Sequence, residues 1–121
     1  MAMDLASQIA QALTEYSDEI ATEVDKAAKE VATETVAELR ATSPKSNRRN
    51  RRRYAESWTK KQISNGQWVV HVRAPNYRLT HLLERGHVKA NGGRTRAFPH
   101  IAPAEEHAVE KFEERIRRLG Q

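Results

Sequence analysis

Residues 54–74 read YAESWTKKQISNGQWVVHVRA, and the Asn65-Gly66 pair at the middle decides what kind of fold the chain can have. Asn-Gly between two β-compatible runs is the strongest short-range signal for a tight hairpin. The run before it carries Tyr54, Trp58, Thr59 and Ile63, so a first strand is expected over Tyr54–Ile63. The run after it, WVVHVRA, alternates Trp68, Val70 and Val72 on one face with Val69, His71 and Arg73 on the other. One of these faces has to be covered by another element.

The covering element lies upstream. From Asp4 to about Arg40 there is neither Pro nor Gly, and Ile9, Leu13, Tyr16, Ile20, Val24, Ala27 and Val31 recur at intervals of three and four. That is the pattern of one long amphipathic helix, ended by Thr42, Ser43 and Pro44. At 1.5 Å per residue it runs on the order of 55 Å, longer than a domain of this size is wide, so one end projects or a neighbouring subunit covers it. Between helix and hairpin, PKSNRRNRRR (residues 44–53) has no apolar residue and reads as a loop.

Downstream, Pro75-Asn76 breaks the strand, and YRLTHLLERGH (residues 77–87) follows with Leu79, Leu82 and Leu83 at helical spacing and Gly86 as the stop. A short helix is expected there, then a basic Gly-bearing loop with a short strand near Thr95–Phe98. The last helix opens around Pro103, with Glu105 and Glu106 near its start and Lys111, Arg115, Arg117 and Arg118 toward its end. These charges complement the helix dipole, and Ala104, Ala108, Phe112, Ile116 and Leu119 form its inward stripe.

At 121 residues the chain is one domain's worth. With 38% hydrophobic and 31% charged residues it is polar, but its apolar residues are periodic, which separates it from disordered sequences. The absence of cysteine removes disulfides, thiolate zinc sites and cysteine nucleophiles, and a cytosolic origin is the default expectation. No window approaches the roughly 18 apolar residues of a membrane span, and no basic leader opens the chain, so no membrane partner is expected. The net charge of +5 is unevenly placed: residues 1–43 hold nine acids against three bases, and residues 44–121 hold eighteen bases against seven acids. Such asymmetry suits nucleic acid, an acidic partner, or head-to-tail association of copies of the chain.

Little catalytic chemistry is legible. His81, His87, His100 and His107 invite a metal reading, but their spacings match no finger or HExxH pattern, and Gly86 separates the pair Glu84 and His87. No GxSxG, P-loop or GxGxxG fingerprint is present, so neither an enzyme nor a cofactor is expected. The basic run offers Lys45, Arg48, Arg49, Arg51, Arg52 and Arg53 to phosphates or to an acidic protein surface, or is a solvated connector. Arg and Lys at phosphates position a protein without specifying sequence, and no groove-reading motif accompanies them. Tyr54, Trp58 and Trp68 could stack on single-stranded bases, or form the core of a small sheet.

YRLTHLLERGH, a basic loop, and then FPHIAPAEEHAVEKF (residues 98–112) together resemble the tail-completion or head-tail joining family of long-tailed (siphovirus) bacteriophages. The matching positions are Tyr77, Leu83, Glu84, Gly86, Phe98, Pro99, Pro103 and Ala104, and the long helix and hairpin stand in the family's order. The resemblance implies a small α+β domain, and with the elements read above the chain is expected to be a single domain over residues 1–121: a long N-terminal helix packed on a small antiparallel sheet, a short middle helix and a C-terminal helix. Residues 44–53 are expected, from their composition, to be a flexible basic loop. The resemblance also implies a non-enzymatic virion protein, assembled in the host cytoplasm, that completes the head-proximal end of the tail and mediates head-tail joining. Its expected partners are copies of itself in a ring, six being one option, the tail tube or terminator protein, and the head connector, with a passing contact to genomic DNA as an option. The arginine loop is more basic than the family pattern, and His87 stands where a small hydroxyl residue is common. The rival reading is a cytosolic nucleic-acid-binding accessory protein that uses the Arg-rich loop and the hairpin.

Overall fold

The protein is described by a computed structural model covering residues 4–45, 52–74 and 76–119. Helix α1 (Leu5–Thr42) leads into a short helix α2 (Arg52–Glu56), then strands β1 (Trp58–Ser64) and β2 (Gln67–Val72). A 3-10 turn (Asn76–Leu79) runs directly into α3 (Thr80–Arg85), and α4 (Ile101–Leu119) closes the chain. The class is α+β, as the hairpin between helical segments requires.

Asp4 caps α1, its carboxylate accepting from the Ser7 N–H at 3.1 Å and from the Ser7 hydroxyl at 2.6 Å. At the other end Ser43 is already extended (φ −63°, ψ 145°), the conformation forced on a residue that precedes proline. Between these limits the helix has two different halves. Residues 4–19 are exposed throughout, and Leu5, Ile9, Leu13 and Tyr16 each stand about 60% open to solvent, at 61%, 59%, 63% and 61%. From Val24 onward the helix is packed, with Ala27, Val31, Ala32, Thr35 and Leu39 buried. The periodic apolar stripe therefore continues beyond the part of it that this chain covers. Propagation from a packed half spares the projecting half the cost of nucleation, which is why a helix can persist there without tertiary contact.

β1 and β2 pair antiparallel, Trp58 with Val72 and Lys60 with Val70, and a bulge between Gln62 and Ser64 leaves Ile63 outside the ladder. Gly66 sits at φ +82°, the left-handed turn position expected for it. The hairpin lies on α1 through the face carrying Trp68, Val70 and Val72, and Asp25 fastens its tip. One carboxylate oxygen of Asp25 accepts from Gly66 N–H (2.8 Å), Gln62 Nε2 (2.8 Å) and Trp68 Nε1 (3.1 Å). The Gly66 backbone bond, aided by the two side-chain donors, holds the Asp25 carboxyl below its ordinary range against the opposing effect of burial.

Two sequence expectations are corrected. Tyr54–Glu56 is helical rather than the start of a strand, because Ser57 closes a turn on the Tyr54 carbonyl through its N–H (3.1 Å) and its hydroxyl (2.6 Å). That turn swings the Tyr54 ring into the core. No strand forms over Thr95–Phe98: the only pairing among the described residues of this loop is an isolated bridge between Val88 and Arg94, and the Phe98 N–H goes instead to the Leu83 carbonyl at 2.7 Å. The core itself is Leu39, Tyr54, Trp58, Val72 and Ala104, with Leu79, Leu83 and Ile101 packed against it. Tyr54, Trp58 and His100 meet edge to face, with ring centroids 5.6–6.2 Å apart.

Candidate functional site: a clasped body and an open trough

The most highly organised polar site joins α3 to α4. The first turn of a helix leaves its N–H groups without intrahelical acceptors. Here Glu84 takes them: Oε1 accepts from His100 N–H (2.7 Å) and Ile101 N–H (2.8 Å), and Oε2 accepts from Ala102 N–H (3.1 Å). The next residue, Pro103, has no N–H to satisfy. A single carboxylate and a proline thus complete the start of α4, and the negative charge sits at the positive end of the helix dipole. Burial pushes the Glu84 carboxyl up, but the three backbone donors together outweigh it and hold it below its ordinary value of 4.5.

His100 is the buried half of this junction, 2% exposed. Its Nδ1 lies 2.6 Å from the Phe98 carbonyl, which can only accept, so Nδ1 carries a hydrogen. In the neutral ring Nε2 then accepts from the Tyr54 hydroxyl at 2.7 Å. Burial pushes the Tyr54 phenol up to about 12. Gly86 ends α3 at φ +74°, and a Cβ there would lie 2.6 Å from the Thr95 carbonyl oxygen, so both conformation and space call for glycine.

The motif positions gather around this junction. Leu83, Glu84, Gly86, Phe98 and Ala104 all touch it or bond across it, and Pro103 lies in the first turn of α4. Tyr77 lies apart, on the wall of a trough. Phe98 is 42% exposed beneath the Arg96 guanidinium, 5.6 Å from its ring centroid. Pro99 bridges Phe98 to the buried His100.

The paired Glu84 and His87 do not make a metal site. Glu84 is turned to α4, whereas His87 Nδ1 lies 3.1 Å from Thr95 Oγ1. His107 Nδ1 faces Glu38 at 2.7 Å. Among the described residues no three His, Asp or Glu side chains gather around a possible ion. Tyr54 and Trp58 are buried and not open to bases, and Trp68 is half-buried with Lys29 over its ring.

Sequence reasoning assigned the charges of α4 to its own dipole, and part of that assignment is corrected. Glu30, Glu34 and Glu38 of α1 and His107, Lys111 and Arg115 of α4 follow the same four-residue spacing on antiparallel helices and face one another. Arg115 Nη2 meets Glu34 Oε1 at 2.6 Å, Arg115 Nε lies 3.8 Å from Glu30, and Lys111 Nζ lies 3.8 Å from Glu34. The Arg115 bond lowers the Glu34 carboxyl and raises the Arg115 guanidinium. The matched spacings, 30/34/38 and 107/111/115, were the signal in the sequence that could have revealed this ladder. Arg117 and Arg118 pair within α4, with Glu113 and Glu114.

The hairpin and α4 both lie along the packed half of α1, and between them runs an open trough of about 930 Å³. Its floor includes Val31, Ala32 and Leu39, and its walls include Trp68 and Val70 on one side and Ala108 and Phe112 on the other. Of the basic run, Lys45 is exposed, Arg52 and Arg53 open α2, and Arg48, Arg49 and Arg51 lie outside the described residues. The flexible-loop expectation for residues 44–53 is corrected at Arg52 and Arg53, which are helical, and residues 46–51 of it lie outside the described residues.

The chain is thus an α+β body that carries an apolar trough and a projecting helix. Residues 7–86, about two thirds of the chain, match the family described as "Bacteriophage HK97-gp10, putative tail-component", and the chain belongs to this HK97-gp10-like family. The match bears out the resemblance to the phage tail-completion family and includes Tyr77, Leu83, Glu84 and Gly86; Phe98, Pro99, Pro103 and Ala104 lie beyond it. A tail component is part of the virion. No curated protein and no solved structure matches the chain significantly. No helix among the described residues is long and apolar enough to cross a membrane.

Proposed function

We propose that the protein is a structural, non-enzymatic tail component that completes the head-proximal end of the tail and joins it to the head, acting as a ring of identical subunits. The observation that carries this reading is the division of α1: one half is packed into the body, and the other offers an apolar stripe and unpaired acids to something outside it. Residues 4–25 hold six acids and no base, so the rest of the chain carries +11. A ring requires a heterologous contact, one patch meeting a different patch on the next copy, and complementary charge at two ends of one subunit suits that geometry. Copies with a net charge of +5 also repel at long range, which favours assembly on a tail over aggregation in solution.

The partners proposed are the tail tube or terminator protein on one side of the ring and the head connector on the other. Lys45 and the arginines at 48, 49, 51, 52 and 53 would meet the connector's acidic surface or face the channel through which DNA passes. Electron microscopy of a lysate from phage carrying a stop codon at Gln8 tests the role. Filled heads beside separate tails of full length are expected; intact virions would overturn it.

A further inference from the structure

The projecting half of α1 leaves an apolar stripe exposed, and the open trough is lined largely by apolar side chains. We infer that the stripe Ile9, Leu13, Tyr16 and Ile20 of one copy docks in the trough between the hairpin and α4 of the next copy, an inference that rests on the ring reading above. Four observations carry it.

First, the stripe has the spacing of a helix that lies in a groove: Ile9, Leu13, Tyr16 and Ile20 are at i, i+4, i+7 and i+11. The trough floor runs from Ala28 to Leu39, also eleven residues along a helix, so the two span the same length of about 16 Å. Second, the segment cannot reach its own trough. The 38 residues of α1 form one continuous helix without Pro or Gly, so the projecting half points away from the floor made by the packed half. Third, the stripe is poorly suited to pairing with its own equivalent, since two copies of residues 4–23 would bring ten carboxylates together with no base between them.

The fourth observation is the state of the charges. The acids of the packed half of α1 are met within the subunit by α4, whereas Glu15, Asp18, Glu19 and Glu23 of the projecting half make no ion pair among the described residues. On the body, Lys60 and Lys61 of the hairpin and Lys89 and Arg94 of the following loop likewise make none. None of these bases lines the trough, and Glu105 does, so the complementarity is one of overall charge, five acids and no base on residues 4–23 against +10 on the rest of the chain. Four apolar anchors make a smaller contact than the roughly 800 Å² per partner of a stable interface, so docking is weak between free subunits and gains strength when a tail holds them in register.

The absence of cysteine makes this testable by pairwise cross-linking. Leu13→Cys lies on the stripe (63% exposed) and Val109→Cys on the trough wall (51% exposed), and neither removes a core contact. The two variants are mixed, oxidised mildly, and analysed both as concentrated purified protein and in particles assembled from both. Random collision yields the two homodisulfides together about as often as the mixed one. Docking predicts the mixed disulfide in several-fold excess, falling toward the random ratio in high salt. A dominant Leu13→Cys homodisulfide would show the stripes pairing with each other and overturn the inference. A random ratio in both samples overturns it too. Sedimentation and particle stoichiometry then separate the two failures: oligomers without the mixed link leave the ring standing on another interface, and one copy per particle removes the ring itself.

Discussion

Replacing Glu84 by Gln tests the claim that one carboxylate builds the start of α4. The amide oxygen can take the place of Oε1 and keep the His100 and Ile101 bonds as a neutral acceptor. The amide nitrogen then faces the Ala102 N–H, donor against donor, and the third bond is lost. A net hydrogen bond to a charged group is worth about 1.5–3 kcal/mol, and a charge at a helix end about 0.3–1 kcal/mol. Ala102 is exposed and water can replace its partner, so the lower ends apply, and Glu84→Gln should cost about 2 kcal/mol. Glu84→Ala leaves the His100 and Ile101 donors without acceptors and should cost about 4 kcal/mol. For a chain of this length, 2 kcal/mol corresponds to a Tm drop of roughly 6–12 °C.

The same argument fixes a pH dependence. The folded state holds the Glu84 carboxyl below its ordinary value of 4.5, so its stabilising contribution is fully present above that value and is lost as pH falls through the lower folded one. The Tm difference between wild type and Glu84→Gln, measured calorimetrically, should be constant from neutral pH down to about 5 and shrink progressively as pH falls below 4.5. A Glu84→Gln protein as stable as wild type at pH 7, or a difference that persists undiminished at pH 3, would refute the reasoning.

Other perturbations test other joints. Gly86→Ala should lower stability by about 2 kcal/mol or more, because the new Cβ meets the Thr95 carbonyl oxygen at a positive φ; denaturant midpoints read this. Burial pushes the Tyr54 phenol up to about 12, so its contribution is present below about pH 10 and lost as pH rises through about 12; alkaline unfolding of Tyr54→Phe should lack that limb. Glu34→Gln removes the shortest rung of the α1–α4 ladder, but the pair is partly exposed, so a loss of only about 0.5–1 kcal/mol is expected, vanishing in 1 M salt. Replacing Arg48, Arg49, Arg51, Arg52 and Arg53 together by Ser should abolish head-tail joining while leaving the circular dichroism melt in place; normal infectivity would make the run an inert connector.

The elements that sequence made legible are those whose signals are local. Asn65-Gly66 carried its own turn geometry, the Pro- and Gly-free run carried α1, and Ala104 to Leu119 carried the inward stripe of α4. What sequence did not make legible depended on partners far along the chain. Nothing near Tyr54 announces that its hydroxyl meets His100, 46 residues away, and without that contact the segment from Tyr54 to Ser57 reads as strand. Glu84 was legible as a motif position, yet its task required knowing that α4 begins at its side chain. Glu105 and Glu106 looked like the acids at the start of α4, but they lie beyond the turn that Glu84 completes. The family pattern marked the clasp residues before any geometry explained them.

The distribution of acids along α1 connects that clasp to assembly. Glu30, Glu34 and Glu38 are held by α4, and α4 is in turn fixed at its start by Glu84, so the packed half of α1, the hairpin and α4 keep a set relation and the trough between them keeps its width. A trough that must receive a helix gains affinity from such preorganisation, since little has to be ordered on docking. The projecting half gains by the opposite arrangement: Glu15, Asp18, Glu19 and Glu23 make no ion pair among the described residues and the stripe from Leu5 to Tyr16 is exposed, so both remain available to a neighbour. If this division is functional, Glu84→Gln should weaken cross-linking of Leu13→Cys to Val109→Cys at temperatures well below its own Tm, by loosening the α4 wall of the trough. Cross-linking unchanged right up to the unfolding transition would mean that the clasp serves stability alone.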